Sequence, residues 1–183
     1  MDKLELKDIA PYLPYRLKLY HLSHFKGNKI IEDWGLKNCS DYPVSEYCDG
    51  TTYGRTLQEI KPILRPMSDL TEEITHGGET FVPMEKLAQI AFERLDTFHI
   101  HSDIEIITAY KTDEKEAYRT LKYDADNKSF VVSVLDENLF RIRNLATKNQ
   151  YDLFQKLCEW HIDFQGLIGR GVAINLHTID NGK

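Results

Sequence analysis

Two runs with the composition of β-strands, residues 116–123 and 129–135, flank the polar segment Asp124–Lys128. Strand-like runs separated by a short turn-forming segment are typical of a β-hairpin. Leu139–Leu145 follows closely enough to continue a meander, and residues 98–106 alternate apolar and polar side chains as a half-buried strand does. Because no regular helix separates these runs, the pattern favours antiparallel pairing over a doubly wound α/β fold.

The first half of the chain has shorter and weaker patterns. Residues 15–22 alternate as a strand does, and Thr51–Leu57 predicts a second strand. Pro62 and Pro66 bracket three residues that we expect to form an extended connector, because proline disfavours a helix there. Turn-forming residues interrupt the segment 26–50, which we therefore expect to be mostly loop; they are Gly27, Gly35, Pro43 and Gly50.

Two amphipathic helices are expected, one at about 83–95 and one at about 151–164. Pro83 is well placed at a first helical position, and apolar residues follow it at helical spacing. The second helix has a wide apolar stripe, and Gly166 is a natural stop after it. The predicted fold class is α+β, a mainly antiparallel sheet covered by these two helices. No repeat or linker divides the chain, so we predict a single domain over residues 1–183.

Composition limits the class of protein. Apolar residues make up 42% of the 183 residues, which is enough to fill a core. No apolar run reaches the 18 residues of a membrane span, and the N-terminus lacks the apolar stretch of a signal peptide. Three scattered cysteines, Cys39, Cys48 and Cys158, suit a reducing cytoplasm better than a disulfide framework. The net charge of −6 argues against a nucleic-acid binder.

Three segments together resemble a known group of proteins: Ile9–Tyr15, Pro62–Thr71, and Leu157–Asp163 with the following Gly166–Ile168. They are similar to small proteins, of no established activity, encoded by phages, prophages and mobile elements of Bacteroides-type gut bacteria. The resemblance implies a bacterial cytoplasmic location and a phage-related genetic setting. It carries no catalytic or binding residue to this chain.

The most chemical-looking feature is the run His99-Ile100-His101-Ser102-Asp103. On a strand, His99, His101 and Asp103 share one face, where two imidazoles and a carboxylate could converge on a divalent metal. Such a strand spaces them roughly 6–7 Å apart, so other elements would have to contribute ligands. The competing interpretation is the polar face of a half-buried strand.

Tyrosine is abundant beyond the needs of a core. Tyr42, Tyr47 and Tyr53 lie in or beside the irregular stretch 38–54, where they could form a recognition surface. Local packing of that stretch is the alternative. No phosphate-binding loop, nucleophile elbow or cofactor motif is present, so we expect no cofactor.

The leading hypothesis is therefore a non-enzymatic accessory protein that acts through contacts with a protein partner. A first alternative is a metal-dependent hydrolase that uses His99, His101 and Asp103, with His161 or His177 as a further ligand. A second is a weak nucleic-acid binder. It would use the N-terminal basic residues Arg16, Lys18, Lys26 and Lys29.

Overall fold

The chain folds as two compact units, Met1–Pro66 with Gln165–Lys183 and Met67–Phe164. The single domain over residues 1–183 stays a prediction. A computed structural model describes residues 2–22, 29–32, 34–36, 41–48, 50–92, 97–102, 105–111, 116–136, 138, 140–145, 147 and 149–180.

Short strands account for most of the regular structure. Their bounds are β1 Leu19–His21, β2 Lys29–Ile31, β3 Trp34–Leu36, β4 Val44–Cys48, β5 Thr51–Arg55, β6 Ile60–Leu64, β7 Ile74–His76, β8 Glu79–Phe81, β9 Thr97–Ser102, β10 Glu105–Lys111, β11 Glu116–Asp124, β12 Ser129–Leu135, β13 Arg141–Leu145 and β14 Ile174–Asn175.

The α-helices are α1 Leu6–Ile9, α2 Pro83–Ala91, α3 Gln150–Glu159 and α4 Leu176–Asp180. Three 3-10 helices cover Ala10–Tyr15, Leu57–Glu59 and Met67–Thr71. None of the helices in the described part of the chain has the length and apolar character needed to cross a bilayer.

The protein is a mixed α+β fold whose sheets are mostly antiparallel, as predicted. The first unit contains a sheet of order β14-β6-β1-β2 and a sheet of order β3-β4-β5. The second contains a sheet of order β13-β12-β11-β10-β9 and the hairpin β7-β8. Among the described strands, the pair β6–β14 is the parallel one.

In the first unit, the expected strand over residues 15–22 is shorter than predicted. A 3-10 helix runs through Tyr15, and Arg16 then adopts a left-handed conformation with φ of 56°. The segment around Pro62 is extended, as predicted, and is a full strand in which Pro62 lies opposite Leu19. At the tail, the short strand β14 is followed directly by α4.

Most of the described residues within 26–50 lie in β2, β3 and β4, so the prediction of a mostly loop segment is wrong for the part that the structure describes. Each of these strands has only three to five residues, too few to show a clear alternation. In β4 the consecutive residues Val44, Ser45 and Glu46 are all buried. A strand covered on both faces has no polar–apolar period, so this signal is missing from the sequence.

In the second unit, the predicted hairpin is confirmed as β11 and β12. The Asp124 carboxylate accepts hydrogen bonds from the backbone N–H groups of Asp126 and Asn127, which closes the turn. β13 extends the meander, as expected. The single strand predicted over 98–106 is wrong, because β9 and β10 pair antiparallel there; the alternation of residue types continues across both strands and conceals the break.

Helix α3 ends at Glu159, five residues before the predicted end. His161 adopts a left-handed conformation with φ of 58°, and the Ile162 N–H donates to the Leu157 carbonyl oxygen over 2.8 Å. This is the Schellman arrangement that usually places glycine at the left-handed position. Because histidine occupies it here, the stop could not be recognised in the sequence.

A buried apolar cluster forms the core of the second unit. It joins residues of both helices to residues of the five-stranded sheet. Its fully buried members include Met84 and Leu87 of α2, Leu153 and Leu157 of α3, and Ile106 and Leu121 of the sheet.

Candidate interaction surface

The three tyrosines proposed as a recognition surface are all about half exposed. Tyr42, Tyr47 and Tyr53 have relative exposures of 51%, 47% and 47%. Each lies on or directly before the hairpin formed by β4 and β5. Tyr47 and Tyr53 lie in strands of the three-stranded sheet, and Tyr42 lies in the irregular segment two residues before β4.

Strand register decides which of these tyrosines lie together. Gly35, Ser45 and Gly54 lie opposite one another across β3, β4 and β5, so they belong to one face of the sheet. The ring of Tyr47 lies against Gly35 and the side chain of Tyr42 lies against Gly54. We call this face, with its two tyrosines, the tyrosine face. Ser45 is fully buried in its centre.

Tyr53 belongs to the opposite face. It is paired with Glu46, one position along the ladder, where side chains point the other way. The guanidinium carbon of Arg55 lies 5.8 Å from the centre of the Tyr53 ring, within the range of a cation–π contact. The structure therefore brings Tyr42 and Tyr47 together and separates Tyr53 from them.

The two glycines allow the tyrosines to approach the sheet backbone closely. A Cβ atom at Gly35 would lie 2.7 Å from the Tyr47 hydroxyl oxygen. A Cβ atom at Gly54 would lie 2.9 Å from the Tyr42 Cβ atom. Both distances are shorter than real side chains tolerate, so glycine is required if the tyrosines are to keep these positions. Packing against the backbone restricts both side chains before any partner binds, which lowers the entropic cost of binding.

A groove lies beside Gly35 at β3, the edge strand of this sheet. It has a volume of about 630 Å³ and is lined by Leu13, Arg16, Glu32, Trp34, Gly35 and Leu36. The Trp34 indole N–H donates to the Leu17 carbonyl oxygen over 2.7 Å, and this hydrogen bond fixes the side of the groove that Trp34 forms. The exposed side chain of Leu36 adds apolar surface beside the groove.

The opposite face of the same sheet holds a buried carboxylate. Glu46 accepts hydrogen bonds from Lys29 Nζ and from Nε and Nη2 of Arg55. Burial alone would raise the pKa of Glu46, but the hydrogen bonds from Lys29 and Arg55 outweigh burial and hold the pKa below its ordinary value. Glu46 therefore stays ionised, and it ties β4 to β2 and β5.

His21 is buried on β1 in the same unit, opposite Lys29 and Ile60. Its Nδ1 atom has no hydrogen-bond partner among the described residues. Burial, and then the positive charge of Arg55, lower the pKa of His21.

The proposed metal ligands are only partly described. His99 is exposed on β9, and the backbone of His101 lies on the same strand, whereas the His101 side chain and Asp103 lie outside the described residues. His161 is in the second unit, where its ring makes an edge contact with His76 at 5.8 Å. His177 is in the first. No cluster of three or more His, Cys, Asp or Glu suited to a metal occurs within the described residues.

Two of the four proposed phosphate-binding cations form ion pairs. Lys18 Nζ lies 2.6 Å from a Glu32 carboxylate oxygen, and Lys29 pairs with Glu46. Arg16 is exposed beside the groove, and Lys26 lies outside the described residues.

The second unit has a groove of about 470 Å³ between the β7–β8 hairpin and the two helices. Its charged residues are paired, with Lys86 2.6 Å from Glu79 and Lys156 2.7 Å from Glu159. The rings of Phe81 and Trp160 contact each other at one side of the groove, tilted by 54° and with their centres 5.1 Å apart. These contacts leave the groove without an excess of either charge.

Cys158 is a buried core residue, and burial raises its pKa to about 11. Such a thiol is a poor nucleophile at neutral pH. The side chain of Cys48 and the whole of Cys39 lie outside the described residues.

The sequence did not reveal Gly35 and Gly54 as parts of the surface. In the sequence, Gly35 is a turn-forming residue that favours a loop, although a glycine within a strand also marks a place where another group approaches the backbone closely. Tyr42 and Tyr47 lie within twelve residues of both glycines in the sequence, and this proximity is the sequence signal that could have linked the glycines to the tyrosines. Glu46 carries no signal of its own, because its two cationic partners come from other strands.

Comparison of this chain with protein families, curated proteins and solved structures finds no match.

Proposed function

We propose that this chain is a non-enzymatic accessory protein that binds another protein through its tyrosine face. The observation that carries the proposal is that Tyr42 and Tyr47 are half exposed on one sheet face while their inner sides rest on Gly54 and Gly35. Tyrosine offers a large contact area, and its hydroxyl supplies a polar handle. Residues of this kind are enriched among those that dominate binding energy at protein interfaces.

A groove at β3 offers a second surface of the same unit that suits a protein partner. Its lining combines apolar side chains, Leu13 and Leu36, with the charged residues Arg16 and Glu32. Interfaces commonly join an apolar centre to a polar rim of this type. Trp34 and Leu36 are one position away from Gly35 along β3, so their side chains point away from the tyrosine face and the groove is a separate surface of the same unit.

The setting belongs to the proposal as well. We infer a phage, prophage or mobile-element origin in Bacteroides-type bacteria and a cytoplasmic location, on the resemblance of the three sequence segments. In the same proposal, α2 and α3 form the layer that covers one face of the five-stranded sheet, which is consistent with the shared apolar cluster. The metal-dependent hydrolase and the nucleic-acid binder stay alternatives that no described contact favours.

Affinity capture from infected or lysogenic cells tests the proposal. The wild-type chain is compared with the double variant Tyr42→Ser/Tyr47→Ser, and bound proteins are quantified by mass spectrometry. We expect one protein to be captured in near-stoichiometric amount by the wild type and lost from the double variant. Both substitutions are at half-exposed positions, so the fold should be retained.

The matched control is Tyr53→Ser, which removes an equally exposed tyrosine from the opposite face of the same sheet. This variant should capture the partner as the wild type does. Equal capture by all three chains would refute the role of the tyrosine face. A defined catalytic turnover by the purified chain, lost on His99→Ala with His101→Ala, would instead support the hydrolase.

A further inference from the structure

The outer strand β13 of the second unit is open to solvent. It is the edge strand of the order β13-β12-β11-β10-β9, and four consecutive residues, Arg141–Asn144, are exposed. An edge strand presents unpaired backbone N–H and C=O groups, which can pair with an added strand. The question is therefore what this edge is suited to bind.

Two large apolar side chains are exposed at this edge. Phe140 is 71% exposed and Ile142 is 64% exposed. Ile142 is the extra residue of a bulge, between the pairs Val134–Arg143 and Leu135–Arg141, so it has no partner on β12. Bulges and arginines protect an edge against pairing, but protection does not require exposed phenylalanine and isoleucine. These two side chains favour a binding role.

Hydrogen bonds join Asp136 to Asn138 and Phe140, just before β13. The Asp136 carboxylate accepts hydrogen bonds from the backbone N–H groups of Asn138 and Phe140, over 2.9 and 2.8 Å. The Asp136 N–H in turn donates to the Phe140 carbonyl oxygen over 2.9 Å. Phe140 is thus held at the start of the edge by its hydrogen bonds with Asp136.

The charge of the edge selects the chemistry of its partner. Arg141 forms an exposed ion pair with Glu105 at 3.3 Å, and Arg143 pairs with no carboxylate in the part of the chain that the structure describes. If a second copy of β13 paired antiparallel about Ile142, each Arg141 would lie opposite an Arg143 of the other copy. Like charges directly opposite each other destabilise a strand pair. The edge is therefore poorly suited to self-association and well suited to carboxylates.

We propose that β13 binds an extended segment of another protein in which acidic residues alternate with apolar ones. The segment adds a strand to the sheet, places a carboxylate near Arg143 and covers Phe140 and Ile142. This edge belongs to the second unit and the tyrosine face to the first, so the inference does not rest on the proposed function.

The probe is a fluorescein-labelled seven-residue peptide that alternates glutamate with valine, compared with one that alternates lysine with valine. Fluorescence anisotropy with the full-length chain should show at least ten-fold tighter binding of the glutamate peptide. Arg143→Glu should weaken binding of the glutamate peptide at least ten-fold, and 0.5 M salt should weaken it in the wild type, because the contact is electrostatic. Arg143→Gln should have a smaller effect in the same direction.

Lys3→Glu is the matched control, since it makes the same type of charge reversal at an exposed position of the first unit. It should leave binding unchanged, as should Tyr42→Ser/Tyr47→Ser. Hydrogen-exchange mass spectrometry should show slower exchange over residues 140–145 when the glutamate peptide is bound. Equal affinity for the two peptides, absence of binding, or a wild-type dimer that Arg143→Glu alters would each overturn the proposal.

Discussion

Replacing Gly54 by alanine should destabilise the first unit, whereas the same change at Gly35 should not. At Gly54, the added Cβ would lie 2.9 Å from Tyr42 Cβ and 3.0 Å from Tyr42 Cγ. The shorter distance is roughly 0.6 Å below an ordinary carbon–carbon contact of about 3.5 Å. The base of the Tyr42 side chain cannot move away without its backbone, so this overlap cannot be relieved by a rotamer change.

At Gly35 the nearest atom is the Tyr47 hydroxyl oxygen, 2.7 Å from the added Cβ. This atom is at the free end of a half-exposed side chain, so rotation of Tyr47 relieves the overlap. Overpacking typically costs about 1–3 kcal/mol, and replacing glycine by alanine in a strand returns about 0.5–1 kcal/mol. We expect Gly54→Ala to lower the free energy of unfolding by about 1–2 kcal/mol, and Gly35→Ala to leave it unchanged or slightly raised.

Urea unfolding followed by 19F NMR of chains labelled with 5-fluorotryptophan measures both effects. Trp34 is in the first unit and Trp160 in the second, so each unit has its own probe. With a denaturant dependence of about 2 kcal/mol per molar urea, the Trp34 midpoint should fall by about 0.5–1 M in Gly54→Ala. Equal midpoints for the two variants, or a larger loss in Gly35→Ala, would refute this account of how the tyrosines are seated.

Three further predictions concern ionisable groups. Glu46→Gln should lower the free energy of unfolding by about 2 kcal/mol, since Lys29 and Arg55 lose their charged acceptor. The pKa of Glu46 is lowered in the folded state, so the stabilisation by its carboxylate is complete above about pH 4.5 and is lost as the pH falls through the folded pKa. Urea titrations at pH 3–5 should therefore show that the free energy of unfolding depends less on pH in Glu46→Gln than in the wild type. Because the pKa of His21 is lowered in the folded state, the unfolded chain binds a proton at a higher pH than the folded chain does. The stability of the folded chain should therefore decrease as the pH falls below about 6.5. In thermal unfolding measured against pH, His21→Leu should show a smaller decrease than the wild type. Cys158 has a pKa of about 11, so at pH 8 it should react with a thiol reagent at least about 100-fold more slowly in the folded chain than in urea. The measurement uses a variant in which the other two cysteines are replaced by serine. Comparable rates in the folded and unfolded chains would contradict the burial of Cys158.

Local patterns predicted the elements whose signals lie within a few neighbouring residues. The hairpin of β11 and β12 was predictable because Asp124 caps its turn and both strands are long. The start of helix α2 was predictable because Pro83 begins it and apolar residues follow at helical spacing, but the helix ends at Ala91 and not at about residue 95, because Phe92 is already extended. The stop of α3 was not, since its left-handed residue is His161 and not glycine.

The sequence by itself determined the α+β class, the antiparallel preference and the presence of surplus tyrosines, because composition and short-range periodicity carry that information. Only the tertiary structure decided that Tyr42 and Tyr47 share a face while Tyr53 lies on the other. That separation follows from the pairing register of β3, β4 and β5, which aligns Gly35, Ser45 and Gly54 across three strands. Register depends on contacts between residues distant along the chain, and a shift of one residue would exchange the two faces.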